Sequence, residues 1–315
     1  MRKILLILMV CGWLPGMMAQ QEPQFNLYMF NQTAINPAAA GVKGGICTMG
    51  YGRSQWMGME DQDGSAINPR TYGLTFDMPV YRIKSGVGLT VQSDQIGFEK
   101  SLDVKAHYAY HHVFRNNHML SGGLTVALKN KTIDYSKLQP SGEDPSLPGV
   151  DGSGMMTDLG LGIHYNIHRK FYAGVSMSNL LGSSSEIEGP EYQLSRHYYA
   201  MAGYDFNFED KQRRPVVLTP GFLLKASQGS VQLDLNAILT WNDLIWGGVM
   251  FRMDRAVGAV AGINYNGFSL GISYDYTLNA SFMEGSRNSL ELFIKYCYPI
   301  YPGVVKKSAY NTRNL

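Results

Sequence analysis

Long apolar runs are scarce in this 315-residue sequence. Beyond residues 1–19, no stretch approaches the roughly 18 consecutive apolar residues that a membrane-spanning helix needs, so helical spans are excluded there. Charged residues are also few, at 17% of the chain, whereas soluble domains have about 25%. The sequence holds instead 35 glycines, 20 tyrosines and 13 phenylalanines. This composition is typical of a membrane β-barrel, whose single strands carry only a weak apolar signal.

The residue patterns of enzymes, metal sites and nucleic-acid-binding proteins are missing as well. Glycines in segments such as 159–162 recur at every second position, whereas a phosphate-binding loop needs them at a strand-to-helix turn. No Gly-x-Ser-x-Gly elbow marks a nucleophile. His107 and His111 share a strand face but lie about 13 Å apart, too far for one metal ion. We therefore expect no catalytic activity, no cofactor and no metal.

The first 19 residues have the layout of a secretory signal peptide. Two basic residues precede the apolar stretch 4–14, and Ala19 offers a small residue for cleavage before Gln20. The alternative is a membrane anchor, but the stretch is too short to span a bilayer. Without residues 1–19 the chain has 25 basic and 25 acidic residues. This balance gives no electrostatic reason to expect nucleic acid as a partner.

Alternation with period 2 is the strongest signal in the sequence. In segment 268–276, Phe, Leu, Ile and two Tyr residues fall on one face, while Ser, Gly, Ser and Asp fall on the other. A soluble β-sandwich would also alternate, but it would cover its outer face with charge. Fourteen such segments can be counted: 44–56, 69–79, 85–94, 101–114, 118–130, 155–167, 170–179, 196–207, 215–226, 230–241, 244–252, 256–265, 268–277 and 288–299.

These segments predict an all-β fold, a 14-stranded antiparallel transmembrane barrel over residues 44–300. Most are close to the length of about 9–11 residues with which a tilted strand crosses the bilayer. If the first strand rises from the periplasm, five of the six periplasmic connections are tight. The outer side carries the long loops 57–67, 131–154, 180–196 and 278–288. Short periplasmic turns and long outer loops are typical of outer-membrane barrels.

Two segments flank the predicted barrel. Residues 20–43 are rich in aromatic residues, Asn and Pro, and fit either a periplasmic arm or a plug inside the barrel. Residues 301–315 carry Lys306 and Lys307, and fit either a disordered basic tail or a periplasmic segment that docks a partner.

Two cysteines, Cys47 and Cys297, lie on the first and last predicted strands, which are neighbours in a closed barrel. Their parity places both in the lumen, at the periplasmic end. A disulfide across the seam is conceivable in an oxidising compartment. Because strand register cannot be read from the sequence, the sequence alone favours two free thiols.

After the signal peptide, the sequence resembles the PorP/SprF outer-membrane proteins of the type IX secretion and gliding machinery. The resemblance rests on Gln21-Glu22-Pro23-Gln24-Phe25, Tyr28-Met29-Phe30-Asn31 and Asn36-Pro37-Ala38-Ala39-Ala40-Gly41, with weaker matches at Arg53, Gln55, Trp56 and Asp94-Gln95-Ile96-Gly97. Near the end the family often has Ser-His-Glu, where this chain has Ser289-Leu290-Glu291. We take Phe25, Tyr28, Phe30, Asn36, Pro37, Arg53, Gln55, Trp56, Asp94, Lys306 and Lys307 as candidate partner contacts or structural signature residues.

The resemblance implies a barrel similar to the fatty-acid channels, placed in the outer membrane. It implies association with the periplasmic PorK/PorN ring and, as in some relatives, with the C-terminal domains of secreted adhesins. We therefore expect a non-enzymatic barrel subunit that anchors the ring or exported cargo to the outer membrane. The alternative is an outer-membrane channel for small hydrophobic or polar solutes, which would need an open lumen.

Overall fold

The structure of the chain is a computed structural model that describes residues 22, 25–60, 64, 66–114, 118–134, 152–187, 191–228, 230–253, 255–278 and 287–300. The expected signal peptide and the tail with Lys306 and Lys307 lie outside the described residues. In the described part of the chain, no helix is long and apolar enough to cross a membrane.

Strands account for most of the described residues. They are β1 (Gly45–Ser54), β2 (Arg70–Val80), β3 (Ser85–Ile96), β4 (Glu99–Val113), β5 (His118–Ile133), β6 (Gly152–Ile167), β7 (Phe171–Ser178), β8 (Ser184–Glu186), β9 (Glu191–Gln193), β10 (His197–Tyr204), β11 (Phe206–Glu209), β12 (Pro215–Ser227), β13 (Ser230–Trp241), β14 (Ile245–Arg252), β15 (Ala256–Tyr265), β16 (Phe268–Thr277) and β17 (Asn288–Pro299). Four short 3₁₀ helices add Tyr28–Phe30, Gln32–Ala34, Pro37–Ala39 and Tyr81–Ile83.

Fourteen of these strands form a closed antiparallel barrel, which confirms the predicted fold. The wall consists of β1–β7, β10 and β12–β17, and each strand pairs with its neighbours in the chain. The ring closes where β1 pairs with β17, with Gly45 opposite Pro299. The remaining three strands are extensions: β8 and β9 form a hairpin in an outer loop, and β11 pairs only with β12.

Period 2 separates the two faces of the wall. On β17, Glu291 and Phe293 are only 1% and 4% exposed, whereas Leu292 and Ile294 between them are 50% and 54% exposed. The exposed set is apolar because these side chains face lipid. Near the periplasmic end, rings from neighbouring strands meet in an aromatic girdle, where Tyr165 contacts Phe171 and Tyr204 contacts Phe206. Such rings suit the boundary between lipid and water.

The tight periplasmic turns follow from their residues. Asn266 and Gly267, between β15 and β16, both have positive φ angles, of 48° and 83°. Two successive positive φ angles are what a two-residue hairpin turn of matching twist requires, and Asn-Gly adopts them easily. One predicted strand, 196–207, is interrupted at Asp205, so that β10 ends before it and β11 begins after it. The Asp205 carboxylate accepts a hydrogen bond from the Thr219 hydroxyl at 2.8 Å.

Candidate functional site

Residues 25–42, which we call the plug, lie inside the barrel. Most of them are buried against inward-facing residues of the wall. The sequence left open whether this segment is a periplasmic arm or a plug inside the barrel. In the structure its described residues lie in the lumen, as a plug does. Two cavities beside the plug have volumes of about 40 Å³ and 20 Å³. Each has room for no more than a few water molecules.

Asn36 and Pro37 set the shape of the middle of the plug. A residue before proline favours an extended backbone, and Asn36 has φ −129° and ψ 111°. Its side-chain oxygen caps the short helix Pro37–Ala39 by accepting the Ala38 N–H at 3.0 Å. Its amide group donates to the carbonyls of Ile163 and Val175 at 2.9 and 3.3 Å. Asn36 therefore joins the plug to paired residues of β6 and β7.

Inward-facing glycines make room for this part of the plug. A Cβ atom added at Gly86, Gly123 or Gly162 would lie well under 3.0 Å from plug atoms. At Gly123 the atoms met first belong to the backbone of Pro37 and Ala38. These glycines thus have a specific role, because they allow the close approach of a second backbone.

A buried charge cluster holds the outer end of the plug. The Glu291 carboxylate accepts the backbone N–H groups of Asn26 and Leu27 at 2.8 and 3.0 Å. The Asn26 amide donates to Ser273 and Asp275, and its oxygen accepts from Arg252. We call the wall residues of this cluster the latch: Arg53, Arg252, Ser273, Asp275 and Glu291.

The charges of the latch are paired with other side chains of the wall. Arg53 forms ion pairs with Asp275 and Glu291 at 3.1 and 3.2 Å, and Arg252 pairs with Asp234 at 2.9 Å. Both partners of each pair are almost fully buried. Removing one partner of a buried ion pair leaves the other uncompensated, at a cost of about 3–5 kcal/mol. The latch is therefore a stable anchor only as a complete set.

The interior is more apolar than the sequence predicted. We expected small and hydrophilic side chains on the lumen face, yet several large apolar residues point inward and form two clusters with the plug. Phe30 of the plug packs between Trp246 and Phe293, with ring centroids 4.5 and 5.0 Å away. The physical reason is that the plug brings its own aromatic side chains, and burying them needs apolar partners on the wall.

A comparison with known families decides the identity of this plugged barrel. Residues 17–296 match the family model described as "Type IX secretion system membrane protein PorP/SprF". The chain belongs to the PorP/SprF family. None of the curated proteins compared with the chain matches it.

Several solved structures are similar to this PorP/SprF chain. The toluene transporter TbuX of Ralstonia pickettii is 11% identical with a TM-score of 0.51, and the match covers 85% of this chain and 93% of TbuX. A FadL homologue from Pseudomonas aeruginosa is 10% identical with a TM-score of 0.48, covering 89% and 95%. CdiB from Acinetobacter baumannii is 10% identical with a TM-score of 0.38, and the match covers 80% of this chain but only 60% of CdiB.

The N-terminal residues of the PorP/SprF signature belong to the plug. Tyr28, Asn36 and Pro37 are buried, and Phe25 and Phe30 are half-buried against the apolar clusters. These five residues therefore pack against the barrel wall. That the segment 20–43 contacts a periplasmic protein stays a prediction.

The other signature residues lie toward the outer end of the barrel. Arg53 belongs to the latch, and the Trp56 indole N–H donates to the Thr277 hydroxyl at 3.2 Å. The backbone N–H of Gln55 donates to the Pro69 carbonyl. Asp94 accepts from the Thr71 hydroxyl on the neighbouring strand.

Several residues that hold the plug were not singled out from the sequence. They are Asn26 of the plug and three residues of the latch, Arg252, Asp275 and Glu291. One signal was available: charged residues near the outer ends of strands on the lumen side, where lipid cannot be their partner. Across the described residues, no three His, Cys, Asp or Glu side chains are grouped as metal ligands would be. His107 lies between the hydroxyl groups of Thr90 and Thr125.

The seam between β1 and β17 carries a disulfide. Cys47 and Cys297 are directly opposite each other in the strand register, and their sulfur atoms are bonded. The sequence alone favoured two free thiols. The structure differs because the register, which the sequence does not reveal, places the two cysteines face to face on the inward side.

Proposed function

We propose that this PorP/SprF chain is a non-enzymatic outer-membrane subunit of the type IX secretion and gliding machinery. In this role it anchors the periplasmic PorK/PorN-type ring, secreted cargo, or both, to the outer membrane. One observation carries the proposal beyond family membership: the lumen is filled by the chain's own plug. A barrel whose interior is packed and latched is suited to holding partners at its two rims.

A second candidate is a channel for small hydrophobic or polar solutes. It is favoured by the shared fold with a protein named as a toluene transporter. The plug argues against this candidate, because a solute would have to displace buried side chains and a complete set of ion pairs. We therefore rank the anchor above the channel.

Planar-bilayer conductance separates the two candidates. We expect the full-length barrel to show no steady ion current, and a variant lacking residues 25–40 to show one. The deletion serves as the positive control for an open barrel. A current through the full-length protein that a small hydrophobic solute blocks would favour the channel.

Crosslinking in intact envelopes tests the anchor directly. We expect the ring proteins to be recovered with the full-length chain, and mass spectrometry to identify them. Deleting residues 303–315, which include Lys306 and Lys307, tests the basic tail as a contact. Undiminished recovery from the truncated chain would remove the tail from the interface, and the absence of ring proteins from both samples would contradict the anchor itself.

Cargo would meet the outer side of the barrel. The loops 131–154 and 180–196 are the candidates, and the described part of the second contains the β8–β9 hairpin. Replacing residues 184–193 by a short Gly-Ser linker is expected to reduce retention of a secreted adhesin at the cell surface. The ring proteins should still be recovered, because they bind the opposite rim.

We also propose that residues 1–19 are removed on export. The intact mass of the mature protein should then be that of a chain that begins at Gln20.

A further inference from the structure

Two lysine side chains converge at the periplasmic end of the lumen. The ammonium groups of Lys43 and Lys295 donate to the same acceptor, the carbonyl oxygen of Phe30, at 2.7 and 3.1 Å. Lys43 is exposed where the chain leaves the plug, whereas Lys295 on β17 is only 7% exposed. One carbonyl oxygen therefore accepts hydrogen bonds from both lysine side chains.

This pair of lysines lacks an acidic partner. Among the described residues, neither lysine is in an ion pair with a carboxylate. The Asp77 carboxylate accepts the Gly41 N–H and lies beyond ion-pair distance of Lys295. Buried charges are normally paired, and two like charges side by side repel each other. An oxyanion placed beside both ammonium groups would relieve both effects.

The neighbouring turn extends this charge onto the periplasmic surface. The Tyr81 hydroxyl donates to the carbonyls of Gly44 and Ile300, both at 2.9 Å, which fixes the turn next to Lys43. Ile83 is 54% exposed, and Arg82 and Lys84 are exposed beside it. A polar, basic rim around exposed apolar side chains is the usual anatomy of a protein interface.

We propose that Lys43, Lys295 and the turn of residues 81–84 form a docking site for an acidic segment of a periplasmic protein. A carboxylate of that segment lies between the two ammonium groups, and its neighbours contact Arg82, Ile83 and Lys84. This proposal rests on the proposed anchoring function, and it identifies the contact through which the barrel holds its periplasmic partner.

The occupant is a protein segment because of where Lys295 points. Its side chain faces the lumen and not the lipid, as the alternation along β17 requires. A lipid headgroup at the membrane surface can reach the turn 81–84 but not Lys295. An acidic side chain entering through the periplasmic mouth can reach both lysines.

Binding to the purified full-length protein in detergent tests the charge chemistry. The probe is a fluorescein-labelled peptide of eight glutamates, followed by fluorescence anisotropy. We expect Lys295→Met and Lys43→Gln each to weaken binding by about tenfold, as loss of a close charge pair does. The matched control is Lys211→Gln, an exposed lysine on another periplasmic turn, which should bind as the unaltered protein does.

Two results of this titration would overturn the site. One is equal affinity in all three variants. The other comes from a parallel measurement with vesicles that contain phosphatidylglycerol. If the lysine substitutions weaken binding to these vesicles but leave peptide binding unchanged, the surface is a lipid site. Because Lys43 is exposed, Lys43→Gln reports on the site even if Lys295→Met does not fold.

Crosslinking in intact envelopes places the site in the cell. A photo-crosslinking amino acid at position 82 is expected to capture an acid-rich segment of a periplasmic protein, identified by peptide mass spectrometry. The adduct should disappear in the Lys43→Gln background. If ring proteins are recovered but adducts persist in that background, the docking site is refuted while the anchoring function stands. If no periplasmic protein is captured at position 82 and no ring protein is recovered, the docking site and the anchoring function are both refuted.

Discussion

Replacing Gly123 by alanine would place a methyl group against the plug. The added Cβ would lie well under 3.0 Å from the backbone of Pro37 and Ala38, a separation that real Cβ atoms essentially never show. The wall at this point is hydrogen-bonded on both sides, with Gly123 opposite Ala109 on β4 and Gly162 on β6. We therefore expect the plug to move and the wall to stay.

The expected magnitude follows from overpacking. Inserting a methyl group into a packed interior costs about 1–3 kcal/mol. The matched control is Gly122→Ala on the same strand, which faces outward and has nothing within 4 Å of the added Cβ. Both substitutions restrict the unfolded chain equally, so the difference between them isolates the contact with the plug.

Two measurements check this prediction. The free energy of unfolding in detergent, from urea titration, should fall by about 1–3 kcal/mol more for Gly123→Ala than for Gly122→Ala. Single-channel recordings should show leak currents for Gly123→Ala alone. Equal stability and equal currents in the two variants would refute the close approach of plug and wall.

Three further predictions concern the latch, the seam and one turn. Glu291→Gln is expected to lower the free energy of unfolding by about 1–3 kcal/mol, because the Asn26 and Leu27 N–H groups lose a charged acceptor while Arg53 keeps its ion pair with Asp275; unchanged urea unfolding would contradict the latch. Mass spectrometry without reductant should find one peptide pair joined through Cys47 and Cys297, and only unlinked peptides would contradict the seam disulfide. Hydrogen bonds from the backbone and side chain of Arg214 lower the pKa of Asp210 from 3.8 to about 2. Because the folded-state pKa is lowered, the Asp210 carboxylate stabilises the turn at pH values above its ordinary pKa, and this stabilisation is lost as the pH falls through the lowered pKa. The ¹³C resonance of the Asp210 carboxyl should therefore titrate near pH 2. In Arg214→Gln the midpoint of this titration should move to higher pH.

The strands could be predicted from the sequence because lipid imposes a strict rule on the outer face. Segments 230–241, 256–265, 268–277 and 288–299 have the same bounds in the structure as in the sequence analysis. Alternation is a local property, and each strand carries it independently of its partners. The even number of strands and the short periplasmic turns then fix the topology.

The site could not be predicted to the same extent. Nothing local distinguishes an aromatic arm in the periplasm from a plug in the lumen, since Tyr28 and Phe30 suit either position until their partners are known. Trp246 and Phe293 depart from the expected alternation of apolar outward and polar inward residues, because they face inward and pack against Phe30 of the plug. The facing of Cys47 and Cys297 depends on register, which only the closed ring defines.

The plug has a consequence for which positions tolerate mutation. Outward positions such as Leu292 and Ile294 meet only fluid hydrocarbon, so any apolar side chain of moderate size should serve there. Inward positions such as Gly123, Trp246 and Glu291 meet one defined shape, as residues in the core of a water-soluble protein do. A saturation scan of this barrel should therefore show strands in which permissive and intolerant positions alternate one by one, with intolerance strongest where the enclosed segment comes closest.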